Sequence, residues 1–189
     1  MQLNIPNVVT WLRIVLIPLV VGVFYLPEGV MPLVEKNLVA CVLFTVAALT
    51  DWLDGYLARR LNQMSAFGAF LDPVADKLMV AAALIMLVEL DRVSAVIAVI
   101  IIGREITISA LREWMAQMGN AKSVAVNLLG KIKTVVQLVA IPMLLYHDRI
   151  LAFDPHATGT WLVYLAAALT LISMFYYMRL AAPRGSGHG

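Results

Sequence analysis

Six predominantly apolar stretches, most of them about twenty residues long and separated by short segments rich in Pro, Gly and charge, run through this 189-residue chain. Stretches of that length match the hydrocarbon thickness of a bilayer when helical. The composition agrees, with 62% hydrophobic and 14% charged residues where soluble domains have about 45–50% and about 25%. The chain is therefore expected to be an all-α integral membrane protein with six transmembrane helices, and its length suits one domain.

The first helix is predicted over about 8–26, entered through Asn4-Ile5-Pro6-Asn7 with Pro6 near the helix start. No basic n-region or small-residue cleavage site precedes it, so the segment is read as retained. Asn7, Thr10 and Arg13 recur every third residue and form a polar stripe on its first turns, suited to headgroup anchoring or to a polar ligand. Pro27, Glu28, Gly29 and Pro32 mark the first loop. The second helix, begun near Asn37, has only a dozen apolar residues before Asp51. A span needs about 20, so the helix should continue through Asp51 and Asp54 to about Arg60.

After a turn at 62–65, a third helix is expected over about 67–90 and a fourth over about 94–114. Gly119-Asn120 precedes a fifth at about 124–146, with Pro142 positioned to kink it. A polar loop at 147–160 leads to a sixth at about 161–180. Residues 1–180 thus read as one membrane domain and 181–189 as a flexible tail, whose Gly185-Ser186-Gly187-His188-Gly189 has the composition of an added linker.

Six spans place both termini on one side, with Arg13, Arg59, Arg60, Lys77, Arg104, Arg112, Lys122, Lys131, Lys133, Arg179 and Arg184. These are eleven of the 14 basic residues, against Lys36, Arg92 and Arg149 on the other, so the termini should face the cytoplasm. A net charge of +2 without basic runs gives no reason to expect nucleic-acid binding. The single Cys41 cannot form an internal disulfide, and His147, His156 and His188 lack metal-ligand spacing.

The chemistry concentrates between Asp51 and Asp76. On a helix Asp51, Asp54 and Ala58 share one stripe, and Asp72 and Asp76 are i,i+4 neighbours on the next helix. A carboxylate within a bilayer costs about 2.5–3.5 kcal/mol on insertion scales, so four in one short stretch need a compensating partner. Hard divalent cations, Mg2+, Mn2+ or Ca2+, suit all-oxygen donors, and no nearby Cys or His suggests zinc. Gly55 and Ala58 remove bulk beside the carboxylates, and Arg59 offers a planar fork for phosphate oxygens. Metal, guanidinium and a small-residue slot together imply a pyrophosphate.

Asp51-x2-Asp54-Gly55-x2-Ala58-Arg59-x8-Gly68-x3-Asp72-x3-Asp76 resembles the signature of the CDP-alcohol phosphotransferase family at every fixed position. The resemblance implies that family's fold, with Asp51, Asp54, Asp72 and Asp76 as ligands of two divalent cations, Mg2+ or Mn2+. Asp76 would also be the catalytic base. Asn7, Thr10, Asp54, Gly55, Ala58 and Arg59 would bind the CDP-linked lipid. Further segments, including Ala69-Phe-Leu-Asp-Pro-Val-Ala-Asp-Lys77, Arg104-Glu105, Ser109-Ala-Leu-Arg-Glu-Trp114 and Gly130-Lys-Ile-Lys-Thr134, resemble the bacterial branch of the family that makes phosphatidylglycerophosphate. That branch implies CDP-diacylglycerol as donor, glycerol 3-phosphate as acceptor, a homodimer among the membrane lipids, and residence in the bacterial inner membrane. Arg104, Arg112, Lys131, Lys133 and Arg179 are the expected acceptor-binding cations, with Gly130 opening space beside the two lysines.

Three other readings compete. A sister enzyme of the family would use serine, inositol phosphate or another alcohol. A divalent-cation transporter also needs intramembrane carboxylates, but Arg59 would repel its cargo and no related halves with broken helices are seen. A purely structural membrane subunit leaves the cost of the buried aspartates uncompensated.

Overall fold

The computed structural model describes residues 5–61, 66–118 and 128–181; within them, the side chains of 5–10, 51–61, 66–69, 128, 129, 131, 180 and 181 are outside the description. The described residues form α1 (Ile5–Gly22), α2 (Leu33–Leu61), α3 (Ala66–Glu89), α4 (Ala95–Gln117), α5 (Leu128–Tyr146) and α6 (Pro155–Ala181), with a 3-10 turn at Val23–Tyr25. No strand occurs among them beyond one isolated bridge between Ile150 and Phe153. The expected turn at 62–65, the Gly119-Asn120 turn and the tail from 182 onward lie outside the described residues.

α2 continues unbroken through Asp51 and Asp54 to Leu61, as the length requirement demanded. Its start, expected near Asn37, is corrected to Leu33, because the Pro32 carbonyl already accepts the Lys36 N–H at 3.1 Å and opens the first turn there. The sixth helix, expected from about 161, starts six residues earlier at Pro155. Asp154 caps it by accepting the Ala157 N–H at 2.9 Å, and Pro155 occupies the first helical position, where its missing N–H costs nothing. The loop expected at 147–160 is accordingly reduced to 147–154.

Helix ends follow local chemistry. Leu26 is extended (φ −64°, ψ 143°) because Pro27 excludes the helical conformation before it, which stops the first helix. α3 ends in a Schellman motif: the Arg92 N–H returns to the Leu87 carbonyl at 2.8 Å and that of Asp91 to Val88 at 3.1 Å, with Asp91 left-handed (φ 57°). Ser94 caps α4, accepting the Val96 N–H at 3.3 Å.

Polarity is arranged with charge inside and hydrocarbon outside. Arg13, Lys36, Arg92, Arg104 and Lys133 are buried, while Phe70, Val96, Val99, Trp161 and Phe175 are exposed. Among the described residues two helices are long and apolar enough to cross a membrane, over Leu33–Thr50 and Pro155–Arg179, and only 28% and 33% of those windows is buried. Mostly outward-facing apolar helices suit a hydrocarbon surround and fit a membrane protein. Trp11–Tyr25 and Ile132–Tyr146 are shorter apolar stretches. α3 and α4 instead carry Asp72, Asp76 and Lys77, and Arg104, Glu105 and Arg112, within their lengths.

The main core joins α1 through α6 around Phe44, Leu84, Leu87, Ile101, Ile141 and Leu144, towards the end of the bundle where the α3–α4 and α5–α6 connections lie. α5 and α6 approach closely at Gly159, where an added Cβ would sit 2.9 Å from Leu144 Cγ and 3.2 Å from the Ala140 carbonyl. The same end is stitched by polar groups. Arg92 donates to the Leu144 and Leu145 carbonyls at 3.1 and 2.8 Å and to Asn37 Oδ1 at 2.7 Å. Asn37 in turn donates to Asp148 at 3.1 Å. Lys36 reaches the Leu26 and Phe24 carbonyls at 2.6 and 3.4 Å. Both cations thus occupy the electronegative C-terminal ends of helical segments. His147 and His156, given no role from sequence, stack edge to face across the α5–α6 connection at 4.5 Å.

The Asp154 cap is titratable. The Ala157 N–H, assisted by Arg149 3.2 Å away, holds its carboxyl below the usual 3.8. A depressed folded value means the contribution is present above the unfolded value and lost as pH falls through the folded one. Asp154→Ala should therefore lower the thermal midpoint in detergent at neutral pH, and Asp154→Asn, which still caps, should retain it while removing this part of the acid sensitivity below about pH 4.

Candidate active site

The opposite end of the bundle, where α3 begins, α4 ends and α5 begins, holds the ionisable side chains that the core excludes. Asp72 and Asp76 stand four residues apart on α3, one above the other on its surface, and both are half-buried. Pro73 lies within the helix rather than at its entry, so the Ala69 carbonyl lacks its usual helical partner beside these carboxylates.

Asp76 opens onto a cavity of about 420 Å3 lined by Pro73, Asp76 and Lys77 of α3, Arg104, Glu105 and Arg112 of α4, and Gly130, Thr134 and Val135 of α5. That size suits a small polar ligand with some water, each water taking about 30 Å3. A deeper recess of about 30 Å3 adds Lys133 and Gln137 to Asp76, Lys77, Glu105 and Thr134.

The cations share their anchors. Arg104 donates to Ser173 Oγ of α6 at 3.0 Å and lies 3.4 Å from Glu105 Oε1. Lys133 forms an ion pair with the same Glu105 oxygen. Arg104 and Arg112, two turns apart on α4, both approach the buried Tyr177 ring, at 5.9 and 5.8 Å from its centroid, within cation–π range. Gln137 Oε1 and the Nε atoms of Arg104 and Arg112 are buried without a hydrogen-bond partner among the described residues. Buried polar atoms seldom remain unsatisfied, so atoms of this kind at a cavity mark where a polar ligand can bind.

Of the expected acceptor-binding residues, Arg104, Arg112 and Lys133 come together. Arg179 does not join them and is exposed on the last turn of α6. The Lys131 side chain lies outside the description, as do those of Asn7, Thr10, Asp51, Asp54, Gly55, Ala58 and Arg59. The helices that carry them are described: α1 holds Asn7 and Thr10, and α2 holds Asp51, Asp54 and Ala58 at i, i+3 and i+7, a single stripe of that helix. Glu105, Gln137, Ser173 and Tyr177 were not foreseen as site residues. Ser173 and Tyr177 sit four apart on α6, but nothing in an apolar helix says which neighbour they meet.

Asp72 and Asp76 are oxygen donors, and the cavity contains no Cys or His. Such a donor set fits Mg2+ or Mn2+ rather than zinc. Among the described residues no group of three or more His, Cys, Asp or Glu gathers. Asp51 and Asp54 belong to the last three turns of α2, the helix before α3.

Comparison with known proteins identifies the family. A family model for CDP-alcohol phosphatidyltransferase matches residues 3–172. The chain is 49% identical over 187 residues to the CDP-diacylglycerol--glycerol-3-phosphate 3-phosphatidyltransferase of Salmonella choleraesuis, covering 98% of this chain and 97% of that protein. It is 49% identical over 183 residues to the protein of the same name from Escherichia coli K12, covering 96% of each. A chain matched by that family model over residues 3–172, and by these relatives along nearly its whole length, belongs to the CDP-alcohol phosphatidyltransferase family.

Proposed function

We propose that this chain transfers the phosphatidyl group of CDP-diacylglycerol to the hydroxyl of sn-glycerol 3-phosphate, giving phosphatidylglycerophosphate and CMP. The observation that carries this reading is the placement of Arg104 and Arg112 on the cavity and of Lys133 on its recess, both of which Asp76 lines. An acceptor that already bears a phosphate needs such a cluster, whereas serine does not. Relatives that match nearly the full length are named for the same acceptor.

In this reading Gly55, Ala58 and Arg59, with Asn7 and Thr10, hold the cytidine diphosphate. The acceptor phosphate lies against Arg104, Arg112 and Lys133, which turns its free hydroxyl towards Asp76. Asp76 takes the hydroxyl proton as the oxygen attacks the phosphatidyl phosphorus, and the bond from that phosphorus to CMP breaks. Asp51, Asp54, Asp72 and Asp76 would hold Mg2+ or Mn2+, which when bound neutralise the pyrophosphate charge and favour departure of CMP. All six helices would span the inner membrane, with the site and termini on the cytoplasmic side, in a homodimer.

The test is CMP release by purified protein given CDP-diacylglycerol and Mg2+ or Mn2+, with glycerol 3-phosphate, serine, inositol phosphate or no acceptor. Release is expected to require both the metal and glycerol 3-phosphate. Release with another alcohol instead would discard the acceptor assignment.

A further inference from the structure

Glu105 is an acidic group placed among cations where a phosphate is to bind, and charge complementarity to the ligand alone does not explain it. Its carboxylate lines the cavity with Asp76, yet one of its oxygens is shared by Lys133 of α5 and Arg104 of α4. The two cations are held differently. Arg104 has a second anchor in Ser173. Lys133 is 2% exposed, and Glu105 is its ion-pair partner among the described residues. An ammonium so buried, on a stem of four flexible carbons and beside a guanidinium of like charge, needs a counter-charge to hold it; Asp76 lines the same recess, and Glu105 is the carboxylate paired with it.

We infer that Glu105 is a positioning residue for the acceptor: it fixes the Lys133 ammonium beside the Arg104 guanidinium as a two-cation seat for the acceptor's phosphate, and so favours phosphorylated over neutral alcohols. The inference deepens the proposed function and rests on its assignment of the cavity to the acceptor. The carboxylate remains beside the seat and acts through Lys133 rather than on the reacting atoms.

Four variants test it: Glu105→Gln, Glu105→Asp, Lys133→Gln and the Glu105→Gln/Lys133→Gln double variant. Glu105→Gln should raise the KM for glycerol 3-phosphate by roughly tenfold or more, the scale of one lost charged interaction, and leave the KM for CDP-diacylglycerol within about twofold. Glu105→Asp should recover part of the loss. Because Glu105 acts through Lys133, the double variant should be no worse than Lys133→Gln alone. Calorimetric titration with glycerol 3-phosphate and with inorganic phosphate, on folded protein without donor, should show the same order of affinities. An unchanged or lowered KM and affinity in Glu105→Gln overturns the inference, as does a full additive penalty in the double variant. If the titrations follow the predicted order but glycerol 3-phosphate elicits no CMP release, the seat stands and the proposed reaction fails. A Glu105→Gln protein that does not fold transfers the test to Glu105→Asp, whose wild-type affinity for both ligands would overturn the inference.

Discussion

Asp76→Asn is expected to lower CMP release by about 10²–10⁴-fold, the usual contribution of a positioned general base. CDP-diacylglycerol affinity should remain within a few-fold of wild type. Asparagine keeps the shape of the side chain and one acceptor oxygen but cannot take the hydroxyl proton. The substitution is local, because Asp76 faces a cavity rather than the core. Asp54→Asn should behave differently and weaken metal-dependent nucleotide binding along with turnover. Single-turnover CMP release and binding of a CDP-lipid, measured on the same preparations, separate the two. Normal turnover by a folded Asp76→Asn protein would remove Asp76 from the base role and return that step to another group of the cavity.

Arg92→Ala should produce the largest loss of stability, and its cause lies far from the chemistry. Arg92 is buried, and its guanidinium serves the Leu144 and Leu145 carbonyls and Asn37 at once. Truncation strands these acceptors at the C-terminus of α5 and leaves Asn37 with Asp148 as its remaining partner. One buried group without its partner costs about 1–3 kcal/mol, so roughly 3 kcal/mol or more is expected for the set. The apparent melting temperature in detergent should fall by several degrees. Arg92→Lys should recover only part, since an ammonium cannot reproduce a fork that reaches two carbonyls and an amide. A melting temperature unchanged in Arg92→Ala would show that water replaces the guanidinium without loss.

Six helices and their approximate extents were legible because apolar length and Pro/Gly punctuation act locally. The continuation of α2 to Leu61 followed from span length alone. The early starts of α2 and α6 were not anticipated, although Pro32 and the Asp154-Pro155 pair are local start signals; polarity in 147–160 outweighed the capping pattern. At the site, the spacing of Asp72 and Asp76 was readable because both lie on one helix. The partnership of Glu105 with Lys133, and of Arg104 with Ser173 and Tyr177, was not. Those pairs depend on how α4, α5 and α6 are rotated against one another, and apolar periodicity is a weak guide to rotation when lipid and protein neighbours are equally apolar. In the sequence Lys36 and Arg92 are only charges on the less basic side; in the structure both are buried as helix-end caps.

Those caps give the bundle a lever arm. Asp76 lies 13 residues before Glu89, the last residue of α3, a distance of about 20 Å at the helical rise. With the Arg92 end fixed, a tilt of about three degrees carries Asp76 by about 1 Å, and a displacement of that size at reacting atoms can cost about 10²-fold in rate. Small losses of rigidity at the distal fulcrum therefore reach the cavity magnified. Substitutions there that leave the protein folded should reduce kcat without touching either substrate.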